Sequence, residues 1–137
     1  MDTIVLIGRI IFSLLFIGSG IGHLAQTADT AATAAAKGLP SPTLLARLSG
    51  VALLAGGLGV SLGIWPDLAL LGIALLMVIL NATMHRFWET EGERQQWEMS
   101  QFMKNLAIAG ASIALFGFFA YGEDANMLVG PLFDLSE

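Results

Sequence analysis

The 137-residue sequence contains no cysteine. The chain therefore cannot form a disulfide, carry out thiol redox chemistry or hold an iron–sulfur cluster through cysteine. Charged residues are also scarce: they make up 12% of the chain, and hydrophobic residues make up 55%. An average soluble domain is about 25% charged. The net charge of −5 argues against a nucleic-acid partner, which requires clusters of lysine and arginine.

Four long hydrophobic stretches explain this composition. They cover residues 4–24, 43–65, 68–87 and 102–121. A helix rises about 1.5 Å per residue and a bilayer core is about 30 Å thick, so about 20 apolar residues cross it. We therefore predict a single all-α integral-membrane domain over residues 1–137, with four transmembrane helices in an up-down-up-down bundle. No basic segment precedes the first stretch, so we expect a retained helix rather than a signal peptide.

The three connections between these spans differ in character. The first contains helix-forming residues 29–37, which predict a short helix at the membrane surface; Asp29 is expected to cap its start and Gly38 to end it. The second is little more than residues 65–67, so spans 2 and 3 are expected to be antiparallel neighbours. The third, residues 88–101, carries most of the charge and is expected to be an aqueous, helical extension of a span.

Small residues within the spans predict close helix packing. Gly18 and Gly22, like Gly59 and Gly63, are four residues apart, a spacing that lets transmembrane helices approach closely. The acidic tail after Tyr121 is expected to be peripheral.

Lysine and arginine residues near the span ends predict the orientation. One side of the predicted bundle carries Lys37, Arg47, Arg86, Arg94 and Lys104, and the other carries Arg9. Cytoplasmic loops are enriched in these residues. We therefore expect both long loops in the cytoplasm and both termini outside.

Seven polar or aromatic residues fall near that same side of the predicted bundle. They are His23, Arg47, Asn81, His85, Trp88, Lys104 and Asn105. A charge at the bilayer centre costs about 2.5–3.5 kcal/mol on insertion scales, so polar residues inside spans usually face the bundle. Inward-facing positions would create a polar pocket in one leaflet. Alternatively, the cations reach outward to the headgroups and bind acidic lipids.

The predicted pocket has more hydrogen-bond donors than acceptors, because we expect every aspartate and glutamate in a loop, turn or tail. This pattern disfavours a proton pump, a cation site or a hard-metal site. It favours a ligand with carbonyl oxygens or an anionic head, such as a quinone or a lipid phosphate. Two histidines at matching depth could also ligate haem iron, although two interfacial histidines alone do not make a haem site.

Five short motifs, in order, resemble the DoxX family of small four-helix bacterial membrane proteins. They are the Arg-then-Phe-x-x-x-Gly opening in residues 8–20, Gly38-Leu39-Pro40-Ser41-Pro42, Gly56-Gly57 followed by Gly63, His85-Arg86-Phe87-Trp88, and Lys104-Asn105-Leu106. Two positions differ from the family pattern. His23 stands where the family often has lysine, and Leu53 stands where it often has glutamate. The second difference removes a plausible partner for Arg47 or Lys104.

The resemblance implies a membrane subunit of a quinone-linked oxidoreductase, including thiosulfate:quinone types, or of an oxidative-stress complex. We expect an accessory subunit in the bacterial inner membrane, with partner subunits supplying the metal or flavin. Asn81, His85, Lys104 and Asn105 would hold the quinone oxygens, with His23 and Arg47 completing the pocket and Trp88 covering its mouth. The alternatives are a non-catalytic scaffold or lipid-binding module that forms homo-oligomers, and an oligomeric small-solute transporter.

Overall fold

The computed structural model describes residues 2–122, 127–133 and 135. Its helices are α1 (Asp2–Ala25), α2 (Thr27–Ala36), α3 (Pro42–Leu62), α4 (Pro66–Thr83) and α5 (Gly92–Ala120), with a 3₁₀ turn at Phe87–Glu89. Four of these helical segments, all except α2, are long and apolar enough to cross a membrane. The predicted all-α membrane protein with four membrane-spanning helices is confirmed. The order of the helices relative to a bilayer and the side of the termini stay predictions.

The long helices pack in sequence order around a shared core. α1 packs on α3, α3 on α4 and α4 on α5, while α2 lies against α3. Within the described residues, no α-carbon of α1 lies within 8 Å of one in α5. The core between the helices contains Phe16, Leu53, Val60, Leu70, Ile73, Met77, Ala109 and Phe119. The backbones of the first and last helices are therefore further apart than those of the other neighbouring pairs, and we call this separation the gap between α1 and α5.

Arg9 closes one end of this gap. Its Nε and Nη2 atoms donate to the carbonyl oxygens of Val60 and Ser61, each at 3.0 Å, and its guanidinium lies 5.9 Å from the ring centroid of Phe119. The side chain is only 2% exposed. Arg9 therefore joins α1 to the end of α3 and to α5.

The surface helix begins earlier than predicted. α2 starts at Thr27, whose hydroxyl donates to the carbonyl oxygens of His23 and Leu24, and no side chain caps the helix from Gln26. Asp29 is therefore inside the helix rather than its cap. The predicted ending is correct, since Gly38 has a φ of +75°, a left-handed conformation that glycine adopts without strain.

The charged connection before the last span is mostly helix. α5 begins at Gly92, so residues expected in an aqueous extension form its first turns. At about 1.5 Å per residue its 29 residues extend about 43 Å, longer than a bilayer core of about 30 Å. Trp88 and Trp97 near this end are exposed, as aromatic residues at a membrane interface usually are. Glu98 is only 2% exposed despite this position.

The C-terminal tail docks on the turn between α3 and α4. Fully buried Asp67 accepts hydrogen bonds from the backbone nitrogens of Leu132, at 2.9 Å, and Phe133, at 2.6 Å. The backbone nitrogen of Val129 donates to the Gly63 carbonyl at 3.0 Å. These contacts fix residues 127–133 against the end of the bundle opposite α2.

Candidate functional site

A cavity of about 120 Å³ lies between α1, α3, α4 and α5. We call it the central cavity. Its polar lining residues are Ser19, His23, His85, Lys104 and Asn105, and its apolar ones include Phe16, Leu53 and Met77. Four of the seven predicted site residues therefore reach one cavity, from α1, from the segment after α4 and from α5.

His23 enters the central cavity from α1. Its Nδ1 atom lies 2.8 Å from the hydroxyl oxygen of Ser49 on α3, so the ring orientation is fixed by a side-chain hydrogen bond. Gly50, one residue further along α3, makes room for this arrangement, because a Cβ there would lie 3.1 Å from the Cβ of His23. Close packing of α1 against α3 at Gly50 therefore sets the position of this histidine.

His85 enters from the segment just after α4 and belongs to a buried ionic cluster. Its Nδ1 atom lies 2.9 Å from Oε2 of Glu98, and the other carboxylate oxygen lies 2.6 Å from Nζ of Lys37. The side chain of Glu98 is 2% exposed and that of Lys37 is 14% exposed. Arg86 Nη2 also donates to the carbonyl oxygen of Lys37 at 3.1 Å. We call Lys37, Glu98 and His85 the ionic cluster.

The expectation that every carboxylate lies in a loop, turn or tail is therefore wrong for Glu98. A signal for its burial exists in the sequence. The buried face of α5 includes Glu98, Asn105, Ala109 and Ser112, at steps of seven, four and three residues. Extending the polar stripe of Asn105 and Ser112 backward by seven residues would have reached Glu98.

Lys104 and Asn105 occupy different positions at the central cavity. Asn105 is 5% exposed and belongs to the bundle interior. Lys104 is exposed, and its ammonium donates to the side-chain oxygen of Gln101. Leu15, also a lining residue, is 46% exposed on α1 across the gap between α1 and α5. The central cavity therefore has its rim on the outer surface of the bundle, between these two helices.

Three predicted site residues lie outside the central cavity. Arg47 is exposed on α3, because the buried stripe of that helix runs through Ala46 and Gly50 instead. Its predicted inward position is wrong. Asn81 is buried, but its Nδ2 atom donates to the carbonyl oxygen of Phe102 at 3.0 Å and so joins α4 to α5.

Trp88 does not cover the mouth of the central cavity. It is 56% exposed and makes edge-on ring contacts with Phe87 and Phe102. Trp88 lies in the 3₁₀ turn at Phe87–Glu89 and is not among the residues that line the central cavity. Its predicted role as a cover is wrong, and an interfacial position explains it better.

A second, larger void adjoins the central cavity. It has a volume of about 290 Å³, lies between α2, α3 and α4, and we call it the apolar cleft. Its walls are mostly aliphatic, including Leu45, Ala52 and Leu76. His23 and Leu80 line both voids. The two voids are therefore neighbours that share these two side chains.

The sequence model of the DoxX family matches residues 4–86, well over half of the chain. The chain belongs to the DoxX family. The DoxX match runs from α1 through α4 and includes both cavity histidines, His23 and His85. Glu98, Lys104 and Asn105 follow it in sequence. No curated protein and no solved structure matches the chain significantly.

Proposed function

We propose that this DoxX-family membrane protein is an accessory subunit of a quinone-linked redox complex in the bacterial inner membrane. Its central cavity binds the ring of a quinone-type lipid. The observation that carries the proposal is the convergence of His23, His85 and Asn105 on one void. Binding sites for small molecules are typically concave and apolar with a few well-placed polar groups.

The size of the central cavity suits a single six-membered ring. A cavity of about 150 Å³ in an unrelated protein holds benzene. The central cavity, at about 120 Å³, also has a rim on the outer surface, so substituents need not be enclosed. The apolar side chains of Phe16, Leu53 and Met77 provide walls for the ring, and the polar groups provide partners for its oxygens.

The apolar cleft gives the proposed ligand a place for its hydrocarbon tail. It shares His23 and Leu80 with the central cavity, and most of its lining residues are aliphatic. A lipid quinone combines a polar ring with a long apolar chain, which corresponds to the two adjoining voids. A soluble anion would use only the polar one.

Partner subunits supply the electron-transfer groups in this proposal. The chain contains no cysteine, and among the described residues no group of three or more histidine, aspartate or glutamate side chains is arranged to hold a metal ion. The chain's own contribution is to bind and orient the quinone ring beside a partner that carries a flavin or metal.

A second candidate function is a non-catalytic lipid-binding scaffold. The exposed position of Arg47 favours it, because an arginine on the outer face of a membrane helix near its end can pair with a lipid phosphate. This function requires no ring in the central cavity.

The test is mass spectrometry of organic extracts from detergent-purified protein. Ser19→Leu places a larger side chain at the lining of the central cavity. Gly18→Leu is the matched control, since a Cβ at Gly18 meets nothing within 4 Å. We expect quinone in extracts of the wild type and Gly18→Leu, and its loss in Ser19→Leu. Phospholipid alone in all three extracts would favour the scaffold and overturn quinone binding.

A further inference from the structure

We propose that the central cavity selects the reduced, hydroxyl-bearing form of its ring ligand, because the ionic cluster makes His85 a hydrogen-bond acceptor. This inference rests on the proposed function and specifies which redox form of the ligand the protein binds more tightly. Glu98 acts as a positioning residue, since it contacts His85 and is not among the residues that line the cavity.

The first step concerns the hydrogen on the ring of His85. Glu98 places Oε2 at 2.9 Å from His85 Nδ1 and Oε1 at 2.6 Å from Lys37 Nζ. An ionised carboxylate can only accept hydrogen bonds, and an ammonium can only donate them. The hydrogen between Glu98 and His85 must therefore belong to Nδ1 of the histidine.

The second step concerns the other ring nitrogen. In a neutral imidazole with hydrogen on Nδ1, Nε2 carries a lone pair and accepts hydrogen bonds. Glu98 is shared between His85 and Lys37, Arg86 next in sequence pairs with Glu89 at 3.2 Å, and Lys104 lines the same cavity as His85. With its Nδ1 hydrogen donated to Glu98, a neutral ring offers an acceptor at Nε2.

The third step compares the two forms of a quinone ring. A quinone oxygen only accepts hydrogen bonds and would face the lone pair of Nε2, whereas a hydroquinone hydroxyl donates to it. Lys104 and Asn105 can donate to an oxygen of either form. Sites built to hydrogen-bond a hydroxyl discriminate strongly against analogues that lack it. The selection for the reduced form therefore arises at His85.

The test is anaerobic equilibrium binding to purified protein in detergent with three probes of the same tail length. These are a decyl-substituted benzohydroquinone, the corresponding quinone, and the dimethyl ether of the hydroquinone. We expect the wild type to bind the hydroquinone at least about tenfold more tightly than the other two, the effect of roughly one buried hydrogen bond. The dimethyl ether separates hydrogen bonding from redox state.

Glu98→Gln tests the positioning role. The ammonium of Lys37 can only donate, so the side-chain oxygen of the new glutamine is expected to accept its hydrogen bond. The NH₂ group of the glutamine then faces Nδ1 of His85. The ring hydrogen moves to Nε2, and the preference reverses toward the quinone. If Glu98 has only a structural role, Glu98→Gln should weaken the binding of all three probes without reversing the order of their affinities. Glu89→Gln is the control, since Glu89 pairs with Arg86 and not with His85.

A direct measurement covers the case in which Glu98→Gln does not fold. The chain has two histidines, so ¹⁵N NMR of histidine-labelled wild type, assigned with His23→Asn, reads the tautomer of His85. A neutral ring with its hydrogen on Nδ1 supports the inference, and a ring with hydrogen on Nε2, whether neutral or cationic, overturns it. Equal affinities for the hydroquinone and its dimethyl ether would overturn the inference. If the protein still binds the quinone in that case, the proposed function stands. Absence of binding for all three probes overturns both.

Discussion

Gly20 lies so close to Leu54 that a Cβ atom on the glycine would be 2.7 Å from the leucine backbone nitrogen. The same Cβ atom would be only 2.8 Å from the carbonyl oxygen of Gly50. Both neighbours are backbone atoms, which cannot move aside without separating the helices. This contact places α1 against α3 and thereby brings His23 to the central cavity.

Gly20→Ala is expected to destabilise the protein by about 1–3 kcal/mol, because overpacking a close helix contact forces backbone shifts. Thermal unfolding in detergent measures the loss. Gly18→Ala and Gly22→Ala serve as controls, since a Cβ at either position meets nothing within 4 Å. Equal melting temperatures for all three variants would contradict the close packing at Gly20.

Asp67→Ala is expected to release the C-terminal tail. The change removes the carboxylate that accepts hydrogen bonds from the backbone nitrogens of Leu132 and Phe133, and a hydrogen bond to a charged group contributes about 1.5–3 kcal/mol. Limited proteolysis at the tail should become faster than in wild type. Asp29→Ala, which removes an exposed carboxylate from α2, should leave the cleavage rate unchanged. A tail that resists cleavage equally in both variants would show that Asp67 does not hold it.

Lys37→Met is expected to lower the free energy of unfolding by about 3 kcal/mol, because it leaves the buried Glu98 carboxylate without its cationic partner. The double variant with Glu98→Gln should be less destabilised than the sum of the two single variants, since the two side chains are in contact. Lys104→Met is the control, because Lys104 is exposed and its partner is the neutral Gln101. Additive effects in the double variant would refute a coupled pair.

Arg47→Gln is expected to leave quinone retention unchanged, because Arg47 is exposed on the outer surface and lines neither void. The amount of acidic phospholipid that copurifies should fall, since the guanidinium offers a partner for phosphate on that surface. Lipid mass spectrometry of wild type, Arg47→Gln and Ser19→Leu separates the two effects. A loss of quinone in Arg47→Gln would mean that the arginine turns inward when the ligand binds.

The membrane-spanning helices could be predicted from the sequence because each depends on local hydrophobicity and length. Residues 4–24 and 43–65 correspond closely to α1 and α3. Which glycines pack could not be predicted from spacing alone. Gly18 and Gly22 are four residues apart but face open space, and Gly20 between them makes the contact, because the direction of the partner helix is set by the whole bundle.

Burial of a candidate site residue could be predicted only where the pattern of polar and apolar residues along its own helix shows which face is buried. Asn105 continues the polar stripe of α5 and is buried as expected. The exposure of Arg47 could not be predicted, because it lies next to the buried stripe of α3 that includes Ala46 and Gly50 and is not part of that stripe. Glu98 could not be paired from sequence, because its partner Lys37 is 61 residues away and reaches it only after α2 folds back over the bundle.

The position of the cavity rim between α1 and α5 decides how a ligand arrives. Leu15 and Lys104 lie on the outer surface, where an embedded bundle faces neighbouring lipids rather than bulk water. A hydrophobic ligand would then approach by lateral diffusion within the bilayer plane, and occupancy would depend on its mole fraction among the lipids. Diluting a fixed amount of ligand with extra detergent should therefore lower occupancy even at constant total concentration.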